Sequence, residues 1–106
     1  MYQYKALVTK VVDGDTIRVL LDLGLDTFTR LTIRLAGIAA PEADTDAGKK
    51  ATDWLTQKVF NRWIVITTIK DPKEKYGRYQ GRIYENELST ESYNDQLVNL
   101  GLVLAK

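Results

Sequence analysis

Between residues 16 and 36 the chain repeats with a period of two, and that period restricts the fold more than any other feature. From Thr16 to Leu23, Ile17, Val19, Leu21 and Leu23 fall on one side while Arg18 and Asp22 fall on the other. From Thr27 to Ala36 the inward set is Leu31, Ile33 and Leu35, and Gly24 to Asp26 is the turn between the two runs. Upstream, residues 4 to 12 are rich in β-branched side chains and lack helical patterning. The Asp13-Gly14 pair joins them to the next strand, with the glycine expected to take the positive φ of a hairpin turn. A three-stranded meander follows.

The remaining segments extend it. Apolar positions Ala47, Ala51, Trp54, Leu55 and Val59 recur at helical spacing and predict a helix over about 47 to 60, with Trp54 in the core. Any of Asp44, Thr45 and Asp46 can cap it. Residues 62 to 70 read as a fourth strand ended by Asp71-Pro72, with Ile64 and Ile66 on one face and Trp63, Val65 and Thr67 on the other. A fifth strand covers 79 to 84. Ser92 with Asp95 resembles a capping box opening a short helix that Gly101 closes, and 102 to 105 form an apolar tail. The expected fold is mainly β (α+β): a five-stranded OB-fold barrel, with a helix inserted after the third strand and a short C-terminal helix. An SH3-like barrel is the rival, and the inserted helix of nearly four turns counts against it.

Composition bounds the chemistry. With 106 residues, 44% hydrophobic and 27% charged, the chain is expected to be one globular domain over 1–106. It has no cysteine and no histidine, so acid, base and metal work falls to Asp, Glu, Lys, Arg and Tyr. No segment approaches the ~20 apolar residues of a membrane span, and Met1 to Leu7 do not form a signal sequence, so the chain is expected to be soluble. The net charge of +1 conceals an uneven spread. Residues 13 to 46 carry seven acids against three arginines, while residues 70 to 82 carry five bases against two acids. One region suits a cation and the other a polyanion, although two solvated loop faces would leave the same imprint.

Three blocks stand out as carriers of chemistry. Residues 34 to 42, Arg-Leu-Ala-Gly-Ile-Ala-Ala-Pro-Glu, start as a strand and are broken by glycine and proline, which lifts Arg34 and Glu42 out of regular pairing. The corner Asp13-Gly14-Asp15-Thr16 supplies two carboxylates, and Lys75-Tyr76-Gly77-Arg78 supplies a second guanidinium. Together they are expected to meet around a phosphate and a metal ion. Taken singly, each has a plainer reading: Asp13 and Asp15 as turn formers, Arg34 as an outward strand residue, and Glu42, Tyr76 and Arg78 as solvated loop positions.

In this order, with Val11-Val12 before the acidic corner and Asn94-Asp95, Leu97-Val98 and Gly101-Leu102 after it, the blocks resemble the staphylococcal nuclease, or thermonuclease, family over nearly the whole chain. The resemblance implies an OB barrel that cleaves the phosphodiester backbone of DNA and RNA with Ca2+, breaking the 5′ O–P bond to leave 3′-phosphate ends. It implies Asp15 as a calcium ligand, the Ala40 carbonyl as a main-chain ligand, and Asp13 as a nearby aspartate outside the ligand set. Arg34 and Arg78 match the arginines that grip the scissile phosphate, and Glu42 matches the glutamate that activates or orients the attacking water. Lys75 and Tyr76 match residues touching the substrate's phosphate and sugar.

This sequence departs from the family pattern at Ala39, where a methyl group replaces a second calcium-ligating carboxylate. The loop from Ala43 to Ala47 looks short, and the chain stops at Lys106, ahead of the downstream tyrosines of the best-known members. Two functional readings follow: a calcium-dependent endonuclease weakened at its metal site, and a catalytically inactive OB-fold module binding nucleic acid or protein. The expected partners of a nuclease are single-stranded or duplex DNA and/or RNA, with no membrane, and the protein is expected to be a monomer.

Overall fold

The computed structural model describes residues 2–68 and 78–106, with Arg78 described by its backbone alone. Strands β1 (Tyr2–Asp13), β2 (Thr16–Gly24) and β3 (Thr27–Leu35) form the antiparallel meander that the alternation implies. Strands β5 (Trp63–Thr68) and β6 (Arg78–Tyr84) complete a closed barrel in the order β1-β2-β3-β6-β5. Closure requires β6 to run parallel to β3, with Thr32 opposite Arg78 and Arg34 opposite Gln80. The other four pairings are antiparallel, so no edge of this sheet is left open.

Inside the barrel, Val8, Ile17, Val19, Ile33, Leu35, Ile66 and Ile83 are almost fully buried. Each such side chain contributes ~1.5–3 kcal/mol of transfer free energy. Leu23, expected to face inward, lies beyond the barrel at the hairpin end and is half-exposed.

Helix α1 (Asp46–Val59) lays Gly48, Ala51, Leu55 and Val59 against the core. Thr45, one of the three expected candidates, is the cap, its hydroxyl accepting from the Gly48 amide at 3.0 Å. One expectation changes: Ala47 is exposed while Gly48 takes the buried position. Trp54 packs edge-on against Tyr93, their ring centroids 6.1 Å apart. Helix α2 (Tyr93–Asn99) is capped by Ser92, which accepts from the Asp95 amide at 3.0 Å. The Asp95 carboxylate does not return the bond as a full capping box would; it pairs with Arg82 at 3.0 Å.

The apolar tail, given no element in the sequence reading, pairs with another segment. Strand β7 (Leu104–Ala105) lies against β4 (Ile38–Ala39), holding the segment that follows Gly37. Gly37 itself has φ +76°, the left-handed turn that separates β3 from β4 and that a side chain would resist.

Asn94 secures the same junction from beneath. It is fully buried, accepts from the Ile83 amide at 3.0 Å, and donates to the carbonyls of Ala36 at 2.9 Å and Gly81 at 3.2 Å. Three backbone groups on β6 and at the end of β3 are thereby satisfied by one amide, which fixes the parallel register opposite Arg34.

Candidate active site

The acidic corner between β1 and β2 is built by close packing rather than by a left-handed glycine. Gly14 does not take a positive φ, contrary to the hairpin expectation. A Cβ there would lie 2.7 Å from the Ala51 methyl and 3.2 Å from that of Ala40. Glycine therefore lets the corner sit directly on α1 and on the segment after β4. Asp13 accepts from the Asp15 amide at 3.0 Å, which closes the turn.

Asp15 is the point where the segments converge. One carboxylate oxygen accepts from the Thr16 hydroxyl at 2.9 Å, and the other accepts from the Ala40 amide at 3.0 Å across 25 positions of sequence. The Asp15 carbonyl accepts from the Leu35 amide at 2.7 Å, next to Arg34. Burial alone would raise the Asp15 pKa, but hydrogen bonding with Asp13, the Ala40 amide, the Thr16 hydroxyl and the Arg34 charge together bring it below the ordinary carboxylate value. Asp13 goes the other way: burial and the adjoining Asp15 carboxylate push it up. Two interacting carboxyl groups thus titrate apart at one corner.

Glu42 is placed by its main chain. Its carbonyl accepts from the Thr45 amide at 3.0 Å and from the Thr45 hydroxyl at 2.6 Å, while that hydroxyl also caps α1. A Cβ at Gly48 would fall 1.9 Å from the Glu42 carbonyl oxygen, so the first turn of α1 touches the Glu42 backbone. The Glu42 side chain is exposed and makes no hydrogen bond or ion pair among the described residues.

The Arg34 guanidinium is half-buried and likewise has no hydrogen bond or ion pair among the described residues, although its field reaches Asp15. Arg78 occupies a β6 position opposite Thr32, two residues from Arg34 in a parallel ladder, so both fall on register positions of one sheet face. Lys75 and Tyr76 lie outside the described residues. Sequence reasoning quoted Thr16 in the acidic corner and Thr45 as a cap candidate, but missed that they bond to the Asp15 carboxylate and the Glu42 carbonyl. A hydroxyl residue directly after each acidic pair or loop was the available signal.

Among the described residues no three acidic side chains cluster as a ready-made metal cage. The donor set nevertheless fits a hard cation in kind. It consists only of oxygen, with two facing carboxyl groups and an Ala40 carbonyl that accepts no hydrogen bond among the described residues. It is thin in number, because position 39 offers a methyl group.

A model of the family described as staphylococcal nuclease homologue matches residues 32–106. The chain belongs to the staphylococcal nuclease family. Its relatives include an "uncharacterized endonuclease" of Escherichia coli O157:H7, 35% identical over 73% of this chain and 46% of that protein. The thermonuclease of Staphylococcus intermedius is 33% identical over 94% of this chain and 58% of its own length. The micrococcal nuclease of Shigella flexneri is 28% identical over 97% and 55%. The chain thus spans about half the length of these staphylococcal nuclease relatives. The closed barrel with two helices is the fold that the resemblance implied, and no described helix is long and apolar enough to cross a membrane.

Proposed function

We propose that the protein hydrolyses phosphodiester bonds of DNA or RNA as a calcium-dependent endonuclease with a weakened metal site. The observation that carries this reading is the Asp15 carboxylate bonded to the Ala40 amide within the field of Arg34. That bond brings an acidic corner, a main-chain carbonyl, a guanidinium and the Glu42 loop to one place. Asp15 and the Ala40 carbonyl would hold Ca2+, with Asp13 keeping Asp15 in position through its bond to the Asp15 amide. When bound, the ion supplies positive charge to the phosphate and makes neighbouring water more acidic.

The chain's own groups do the rest. Arg34 binds a phosphate oxygen, and Arg78, at its register position on the same sheet face, binds a second. Paired guanidiniums match charge gathering on equatorial oxygens as the phosphorus becomes five-coordinate, and loss of one donor of this kind costs ~100- to 1,000-fold in rate. Glu42, exposed on the loop before α1, accepts a proton from the attacking water. Lys75 and Tyr76 add substrate contacts by family resemblance.

Digestion of single-stranded DNA with millimolar calcium tests the proposal. Cleavage should stop when chelator is added and should fall ~100-fold or more in Glu42→Gln, the range for losing a general base. The methyl group at Ala39 favours a second reading, an OB-fold module that binds without cutting. Stable binding with no calcium-dependent cleavage would establish that reading instead.

A further inference from the structure

The outer face of the β1-β2-β3 meander carries cations that the site above does not use. Lys10 stands opposite Arg18, Arg18 opposite Thr32, and Thr32 opposite Arg78, forming one row across four strands. In the adjacent row Leu7 stands opposite Leu20 and Leu20 opposite Arg30. Arg34 lies two residues beyond Thr32 on the same face. Lys10, Arg18 and Arg30 are all exposed.

None of the three forms an ion pair or side-chain hydrogen bond among the described residues. β3 contains no acid at all, and the only acid inside β2, Asp22, turns its carboxylate back to the Gly24 amide at 2.8 Å. Like charges directly across a strand pair, as at Lys10 and Arg18, oppose folding. An external anion lying on such a face relieves that repulsion. At its far end Phe28, 45% exposed, sits two residues before Arg30 on the same side, offering a ring to an unstacked base.

From this arrangement we infer that the outer face formed by Lys10, Arg18 and Arg30 is a track for the backbone of single-stranded nucleic acid, extending the path of the strand beyond the phosphate held near Arg34. Lys10 and Arg18, directly opposite on neighbouring strands, have Cα atoms roughly 5 Å apart, and Arg18 and Arg30, diagonal across β2 and β3, lie roughly 7 Å apart. Phosphates are followed by the cations, while a base rests on Phe28. The ligand class rests on the nucleic-acid reading above, but the inference does not require cleavage, so a catalytically silent protein still permits the test.

The test uses the whole chain with calcium chelated, a fluorescent fifteen-nucleotide oligothymidylate, and a nucleoside 3′,5′-bisphosphate as a probe confined to the Arg34 site. The Lys10→Ala/Arg18→Ala/Arg30→Ala variant should bind the oligomer ~10-fold or more weakly at low salt. The steepness of its log affinity against log salt should fall by about 2, from ~0.7 per lost phosphate contact. Bisphosphate affinity should stay unchanged, which also shows that the variant is folded. A variant with the same charge change elsewhere, Lys50→Ala/Lys58→Ala/Lys106→Ala, should keep the parent slope. An oligomer that fails to bind the parent, or equal losses in the two triple variants, or an unchanged slope in the first, would overturn the inference.

Discussion

Replacing Gly48 by alanine is expected to lower the midpoint of thermal unfolding by about 10 °C, although helix propensity alone gives the opposite sign. In a helix interior, glycine to alanine ordinarily adds ~1 kcal/mol. At position 48 the added Cβ would meet the Glu42 carbonyl oxygen at 1.9 Å and its carbon at 2.7 Å, both main-chain atoms that cannot rotate aside. Overpacking of this kind costs ~1–3 kcal/mol and sometimes more. A net loss near 2 kcal/mol corresponds to roughly 10 °C in a domain of this size.

The displaced partner is the loop that positions Glu42, so activity should fall along with stability. A shift of about an ångström in a catalytic group can cost ~100-fold. Thermal melts of the parent and Gly48→Ala, with cleavage rates measured well below both midpoints, separate the two effects. A more stable and equally active variant would show that α1 does not bear on the Glu42 main chain.

Converting Ala39 to aspartate should strengthen calcium binding about 10- to 100-fold while making the metal-free protein less stable. Position 39 lies on β4 directly before the Ala40 amide that binds Asp15, and on the opposite side from the buried Ile38. A third carboxylate adds a charged oxygen ligand to a thin set, and affinity for this ion follows the number of such ligands. Without metal the same group adds repulsion at a corner where Asp13 is already pushed up by burial and by Asp15. Tenfold tighter binding under saturating calcium contributes ~1.4 kcal/mol more stabilisation, or roughly 6–11 °C of additional midpoint shift. The measurement is the calcium-induced midpoint shift of parent and Ala39→Asp. Equal shifts would place the ion elsewhere.

These two positions show what the sequence discloses and what it withholds. The meander was legible because Ile17, Val19, Leu21, Ile33 and Leu35 keep a period of two that a half-buried sheet enforces. The helix was legible because Ala51, Leu55 and Val59 share a face. Gly48 was not, because its role depends on a main-chain atom six residues earlier that only the folded loop brings near. Gly14 was read through turn chemistry, whereas the residue is there to let the acidic corner touch Ala51 and Ala40. The β4-β7 pair escaped notice because two-residue strands carry no period, and the parallel β3-β6 ladder did because orientation is not written in alternation. Asp13, Asp15, Arg34 and Glu42 were legible as candidates from their order along the chain. The bond from the Ala40 amide to Asp15 was not, since it links segments 25 residues apart.

The most direct test of the account is the affinity of a nucleoside 3′,5′-bisphosphate measured calorimetrically with and without calcium, in the parent and in Asp15→Ala and Arg34→Ala. If the acidic corner and Arg34 serve one phosphate, calcium should tighten nucleotide binding ~10-fold or more, and the nucleotide should tighten calcium binding by the same factor. Asp15→Ala should abolish that coupling, and Arg34→Ala should weaken the nucleotide at every calcium concentration. Nucleotide binding that is indifferent to calcium, or that survives both substitutions unchanged, would contradict the account.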